Sequence, residues 1–121
     1  MRQRAQLLVL FCLFLAGCER TNCSLSVREA NEKVLKQDLF SIRSSIDNYT
    51  KDKAKAPQSL DDLVQAGYLR TIPKDPITGQ SDWVPIQDDA LMSPNQTATG
   101  ISDVHSASDK TASDGTVYSN W

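Results

Sequence analysis

Two copies of the tripeptide Ala-Ser-Asp stand five residues apart near the end of this 121-residue chain, Ala107-Ser108-Asp109 and Ala112-Ser113-Asp114. Asp109 and Asp114 offer carboxylates, Ser108 and Ser113 offer hydroxyls, and a tight loop adds backbone carbonyls. Oxygen ligands gathered in this way suit a hard cation such as calcium, held at ~2.3–2.6 Å. The spacing is not that of an EF-hand, which needs alternating acidic residues before a glycine. The same residues also form turns, since Asp and Ser bond their own backbone two residues on. Both readings stand at this point. His105 is the only histidine, with Asp103 two residues earlier and Ser106 beside it. That is no catalytic triad, because nothing aims the imidazole at a nucleophile and no oxyanion-binding turn accompanies it. A non-enzymatic protein is expected.

Charge narrows the partners. The whole chain carries −2, yet residues up to Arg70 hold eleven Lys and Arg against eight acids, while residues from Thr71 onward hold two lysines and seven aspartates. A carboxy-terminal half about five charges negative argues against nucleic acid, whose phosphates require a basic face. The three cysteines, Cys12, Cys18 and Cys23, all lie near the start. They cannot staple the domain and do not form a zinc pattern.

The amino terminus reads as an address. Arg2 and Arg4 precede a ten-residue apolar run, Leu7 to Ala16. That run is long enough for a signal-peptide core and too short to span a bilayer. Leu15-Ala16-Gly17-Cys18 follows and matches the bacterial lipobox, whose cysteine becomes the acylated first residue of the mature protein. Residues 1–17 are therefore expected to be a lipoprotein signal peptide, and 18–26 a lipidated tether. Two or more acyl chains give stable membrane anchoring. The expected location is the cell envelope, on the outer or inner membrane facing the periplasm, with Glu19 in place of the inner-membrane aspartate leaning toward the outer. Cys23 is left over in the tether, as a free and inert thiol, a second acylation site or an intermolecular disulfide.

The elements that must position the acidic loop come next. Ser26 reads as an N-cap, with Glu29 completing a capping box. From there Val27, Ala30, Val34, Leu35, Leu39, Ile42, Ile46 and Tyr49 recur at spacings of three and four, apart from the adjacent pair Val34 and Leu35. This is the apolar face of a helix running to about Lys53. Ser59 caps a short second helix that carries Leu60, Leu63 and Val64 inward and stops at Gly67. Pro73 and Pro76 stiffen the corner that follows. Three strand candidates complete the chain: Trp83 to Ile86, demoted to an edge or a bulge by Pro85; Ile101 to Ser106; and Thr116 to Trp121, with Trp121 closing the core. The expected fold is α+β over residues 27–121, a long amphipathic helix on a small three-stranded antiparallel sheet.

The order long helix, APQSLDDLVQAGYL, IPKDPITG, aromatic strand at Trp83, DVHSASD and terminal Trp121 resembles the major pseudopilin of type II secretion systems, over roughly residues 30–121. The resemblance implies the pilin-like helix and sheet, and calcium bound in the loop before the last strand. Asp109 lies where the family places one calcium aspartate, and Asp114 replaces a second that the family carries where this chain has Val117. It also implies a structural role among secretion or type IV pilus-like machinery proteins. The front departs from the family. No Gly-Phe cleavage site and no ~20-residue apolar helix for polymerisation are present, and a lipobox stands in their place. Two functions follow: a membrane-anchored pseudopilin-like lipoprotein, or an independent lipid-anchored calcium- or ligand-binding module that retains only the fold.

Overall fold

Thirty-four consecutive residues without glycine or proline give the chain its longest element, helix α1, Arg20–Lys53. The computed structural model describes residues 20–121, with side chains from Ser26 onward. The signal peptide and Cys18 lie outside the described residues. Ser26 lies inside α1 rather than at its start, and the stretch expected to be a tether is helical from Arg20 onward. The reason is cooperative. Once a turn exists, each further residue adds a hydrogen bond for one fixed residue, and no residue here interrupts that propagation.

The apolar stripe is only partly buried. Leu35, Leu39, Ile42, Ile46 and Tyr49 enter the core, whereas Val27 and Val34 remain 61% and 45% exposed. The buried part packs against Leu63, Trp83, Ile101, Val104, Ala112 and Tyr118, with Leu69, Ile72 and Trp121 at its margin. Tyr49 and Tyr68 meet edge to face at 5.6 Å, an arrangement their ring quadrupoles favour. α1 ends at Ala54, which adopts a positive φ of 54°. Thr97 answers this turn through its N–H and its hydroxyl, both donated to the Ala54 carbonyl.

Helix α2, Leu60–Gln65, follows the sequence reading. Asp62 reaches back to accept from the N–H groups of Gln58 and Ser59 at 2.8 and 3.1 Å. Gly67 takes the left-handed conformation at φ 83° that stops the helix. The Pro corner then closes around Asp75, which is fully buried. Its carboxylate accepts from the Ile77 N–H at 2.7 Å and from the Ser106 hydroxyl at 2.5 Å. Its backbone N–H donates to the Gln80 carbonyl.

The sheet corrects the expectation of three strands. Among the described residues it has two, β1 (Val84–Asp88) and β2 (Gly100–His105), paired antiparallel. Register slips between Ile86, opposite Asp103, and Gln87, opposite Ile101, leaving Ser102 as an extra residue on β2. This bulge lets Ile101 and Val104, three apart, both turn inward, which the two-residue period of a regular strand forbids. β1 is exposed along its whole length.

The third candidate, Thr116 to Trp121, contributes one bridge between Thr111 and Val117 and then a 3-10 turn, Tyr118–Asn120. Tyr118 and Trp121 stack edge to face at 5.1 Å. Side chains three apart lie over one another in a 3-10 turn but point to opposite faces of a strand. Packing both aromatics against α1 therefore selects the turn.

Candidate functional site

Where the carboxy-terminal loop meets α1, the buried side chain of Glu32 organises the contact. Only 7% of Glu32 is exposed. Its Oε1 accepts from the Ser113 N–H and from the Tyr118 hydroxyl, each at 2.8 Å, and its Oε2 accepts from the Ser113 hydroxyl. Arg28, one turn earlier, lies 3.5 Å from Glu32 Oε1 and also donates to the Thr111 carbonyl. Burial works to raise the Glu32 carboxyl, but the donors from Ser113 and Tyr118 and the Arg28 charge outweigh it. Its pKa lies below the usual value. The Tyr118 hydroxyl is pushed up, by burial first and then by Glu32.

A second set of polar contacts lies further along α1. Arg43 donates from Nε to Asp103 at 2.6 Å and from Nη2 to the backbone oxygens of Val104 and Trp121 at 2.9 and 2.7 Å. His105 Nδ1 sits 2.5 Å from the same Trp121 oxygen, and its Nε2 is 3.6 Å from Asp103. Lys36 stands over the Trp121 ring, 4.6 Å from its centre. His105 is thus bound to structural partners, and the neighbouring Ser106 hydroxyl is spent on Asp75.

The four residues of the proposed cation loop are dispersed in role. Ser113 is held by Glu32. Ser108 is buried, and its hydroxyl accepts from the Lys110 N–H. Asp114 Oδ1 accepts from the N–H and hydroxyl of Thr116 at 2.9 and 2.6 Å, and these bonds, the hydroxyl's first, lower its pKa. Asp109 is exposed. Among the described residues no group of three or more His, Cys, Asp or Glu gathers to hold a metal ion. Glu32, Asp75 and Arg43 were not singled out as site residues from the sequence. Each sits in a polar or turn pattern, and its distant partners lie 31 to 86 residues away.

Two open cavities border the contact between loop and helix. One of about 450 Å³ lies among Val27, Asn31, Ile77, Lys110 and Tyr118. The other, about 320 Å³, lies among Lys36, Leu39, Arg43, Asp114 and Trp121. Among the described residues no helix is long and apolar enough to cross a membrane. Comparison with known proteins finds no matching family model, no matching curated protein and no matching solved structure.

Proposed function

We propose that this chain is a membrane-anchored, non-enzymatic pseudopilin-like lipoprotein, a structural or interaction component of type II secretion or type IV pilus-like machinery at the cell envelope. The reading rests on the Leu15-Ala16-Gly17-Cys18 lipobox together with one observation about α1. Among the described residues the helix runs without a break from Arg20, two residues after Cys18, to Lys53, inside the head. At 1.5 Å per residue it is about 51 Å long. Residues 26–30 are exposed, and the buried apolar side chains of α1 begin at Leu35. A helix bare at one end and clasped at the other suits a head held off a membrane by a stiff stalk. Glu32, Arg43, Asp75, Ser106 and Ser113 spend their polar atoms on partners within the chain, which suits a part that is held and touched better than one that turns over a substrate.

The test is acylation and partner capture. Wild-type protein should take up labelled fatty acid, partition into detergent and show an acylated Cys18 as its mature terminus by mass spectrometry. Cys18→Ser should remain unprocessed or become soluble. Crosslinking in native membranes should capture proteins of the secretion or pilus apparatus. A mature wild-type chain that keeps Met1 and carries no acyl group overturns the anchor.

A further inference from the structure

The front of α1 carries an apolar face that the head does not cover. Val27, Ala30 and Val34 repeat at intervals of three and four, and all three are exposed. At 100° per residue this face lies about 120° around the helix from the buried face centred on Leu35 to Ile46. Heptad spacing places Val27 and Val34 at one core position and Ala30 at the other. One step earlier the same spacing falls on Cys23, and one step later on the polar Gln37 and Ser41. The apolar seam therefore ends at Val34, beside the first contacts of the head with Arg28 and Glu32. We infer that this seam pairs in parallel with the same seam of a second copy of the chain, the two heads diverging on opposite flanks.

Charge complementarity selects the second copy. In a parallel pair, the residue flanking one core position faces the residue five further along the partner helix. For Lys33 that residue is Asp38 of the second copy, so the symmetric pair brings two such contacts. Within one chain neither Lys33 nor Asp38 forms an ion pair among the described residues. Asp38 is half-buried, and its carboxyl is pushed up by burial and then by the neighbouring Asp75 charge. A lysine arriving from outside would neutralise it. The Pro corner flanks one side of the seam, since Pro76 and Ile77 border the cavity beside Val27 and the Asp75 charge acts on Asp38. Two heptads are short, so the pair depends on membrane confinement to raise its effective concentration. To that extent the inference rests on the anchored reading.

The test is disulfide scanning of the full chain in native membranes, with dioxygen and copper phenanthroline as oxidant. Two thiols lose two protons and two electrons to that oxidant and form one S–S bond, which requires Cα atoms within about 4.4–6.8 Å. Cys23 in the wild type, and Val27→Cys or Ala30→Cys in a Cys23→Ser background, should form crosslinked dimers about tenfold faster than Glu29→Cys or Phe40→Cys on the far side. Lys33→Asp and Asp38→Lys should each slow crosslinking, and the double exchange should restore it. Melting curves of the exchanged variants keep a folding defect apart from a pairing defect. Equal rates at all positions, or no rescue by the double exchange in variants that fold, overturn the seam. Cys18→Ser protein, assayed at high concentration, separates the two readings. The positional pattern persists there if the seam is real, whether or not Cys18 anchors the chain, and its loss counts against the seam alone.

Discussion

The two ends of α1 have the same sequence grammar and opposite fates. Behind Glu32 the apolar face is covered, and even the polar residues Glu32 and Arg43 are drawn into bonds with the last third of the chain. Ahead of Leu35, Val27 and Val34 lie bare. Periodicity says that a helix has a face to bury and is silent on where the covering surface lies. In this molecule the cover comes from residues 60–121 and reaches only the rear four turns or so. The front is left to another surface.

The sharpest way to break this comparison is to truncate one residue from each end. Glu32→Ala removes a charged acceptor from three donors and leaves the buried Tyr118 hydroxyl without its acceptor. It should cost about 3 kcal/mol or more in urea unfolding. Val27→Ala should change monomer stability by no more than about 0.5 kcal/mol. Comparable losses at the two positions would mean that the stalk is covered after all.

Next in size is Gly100, where the sheet meets the segment leaving α1. A Cβ placed there would stand 2.5 Å from the Pro57 carbonyl oxygen and 2.6 Å from Gln58 Nε2. The Ile101 N–H donates to that same carbonyl at 2.9 Å, so the backbone has little room to give. Gly100→Ala should destabilise by about 1–3 kcal/mol. A neutral result would show that β2 is free to move away from the rear of α1.

Acid sharpens the contrast through two carboxylates with opposite shifts. The folded Glu32 carboxyl titrates below its unfolded value of ~4.3. Its contribution is therefore complete above that pH and lost as pH falls through the folded pKa. Asp38 behaves in reverse. Its folded pKa is raised, so its charge opposes folding at neutral pH, and that opposition fades as pH falls through the folded pKa. Asp38→Asn should raise Tm at pH 7 and lose its advantage below the unfolded value of ~3.9, and Glu32→Gln should flatten the acid limb of the melting profile. Thermal melts of the two variants from pH 3 to pH 8 decide the matter, and Tm profiles parallel to that of the wild type would refute both assignments.

The smallest expected effect is calcium. Ser113 and Asp114 already spend oxygens on Glu32 and Thr116, so a few millimolar calcium against EGTA should move Tm by about 2 °C or less. A one-site ligand at its Kd adds only RT ln 2, about 0.4 kcal/mol. A shift of several degrees, abolished by Asp109→Ala, would show that the loop rearranges around the ion as the pseudopilin resemblance implies.

Much of the architecture was legible in local pattern. Ser59, Gly67 and the two prolines marked α2 and its stop, Leu35 to Tyr49 marked the buried face, and Pro85 marked an exposed edge strand. What escaped is non-local. Thr116 to Trp121 has strand-like composition, but Tyr118 and Trp121 gain more by stacking on one side than by alternating. Asp75 read as the residue before a proline, and its burial depends on a serine 31 residues later. Ser26 and Glu29 have the types of a capping box, yet a cap forms only where the preceding turn is absent. Val27 and Leu35 look alike as residue types, and an apolar pattern does not record whether anything covers it.

The unbroken length of α1 also has a mechanical meaning. Between Arg20 and Lys53 there is no glycine, proline or other hinge, and the far end is tied to the head through Arg43, Ser45 and Tyr49. Such a rod works as a lever. A tilt of about 10° at one end swings the other by about 9 Å over its ~51 Å length. Small changes of angle at the base are thereby converted into displacements of the head as large as a side chain.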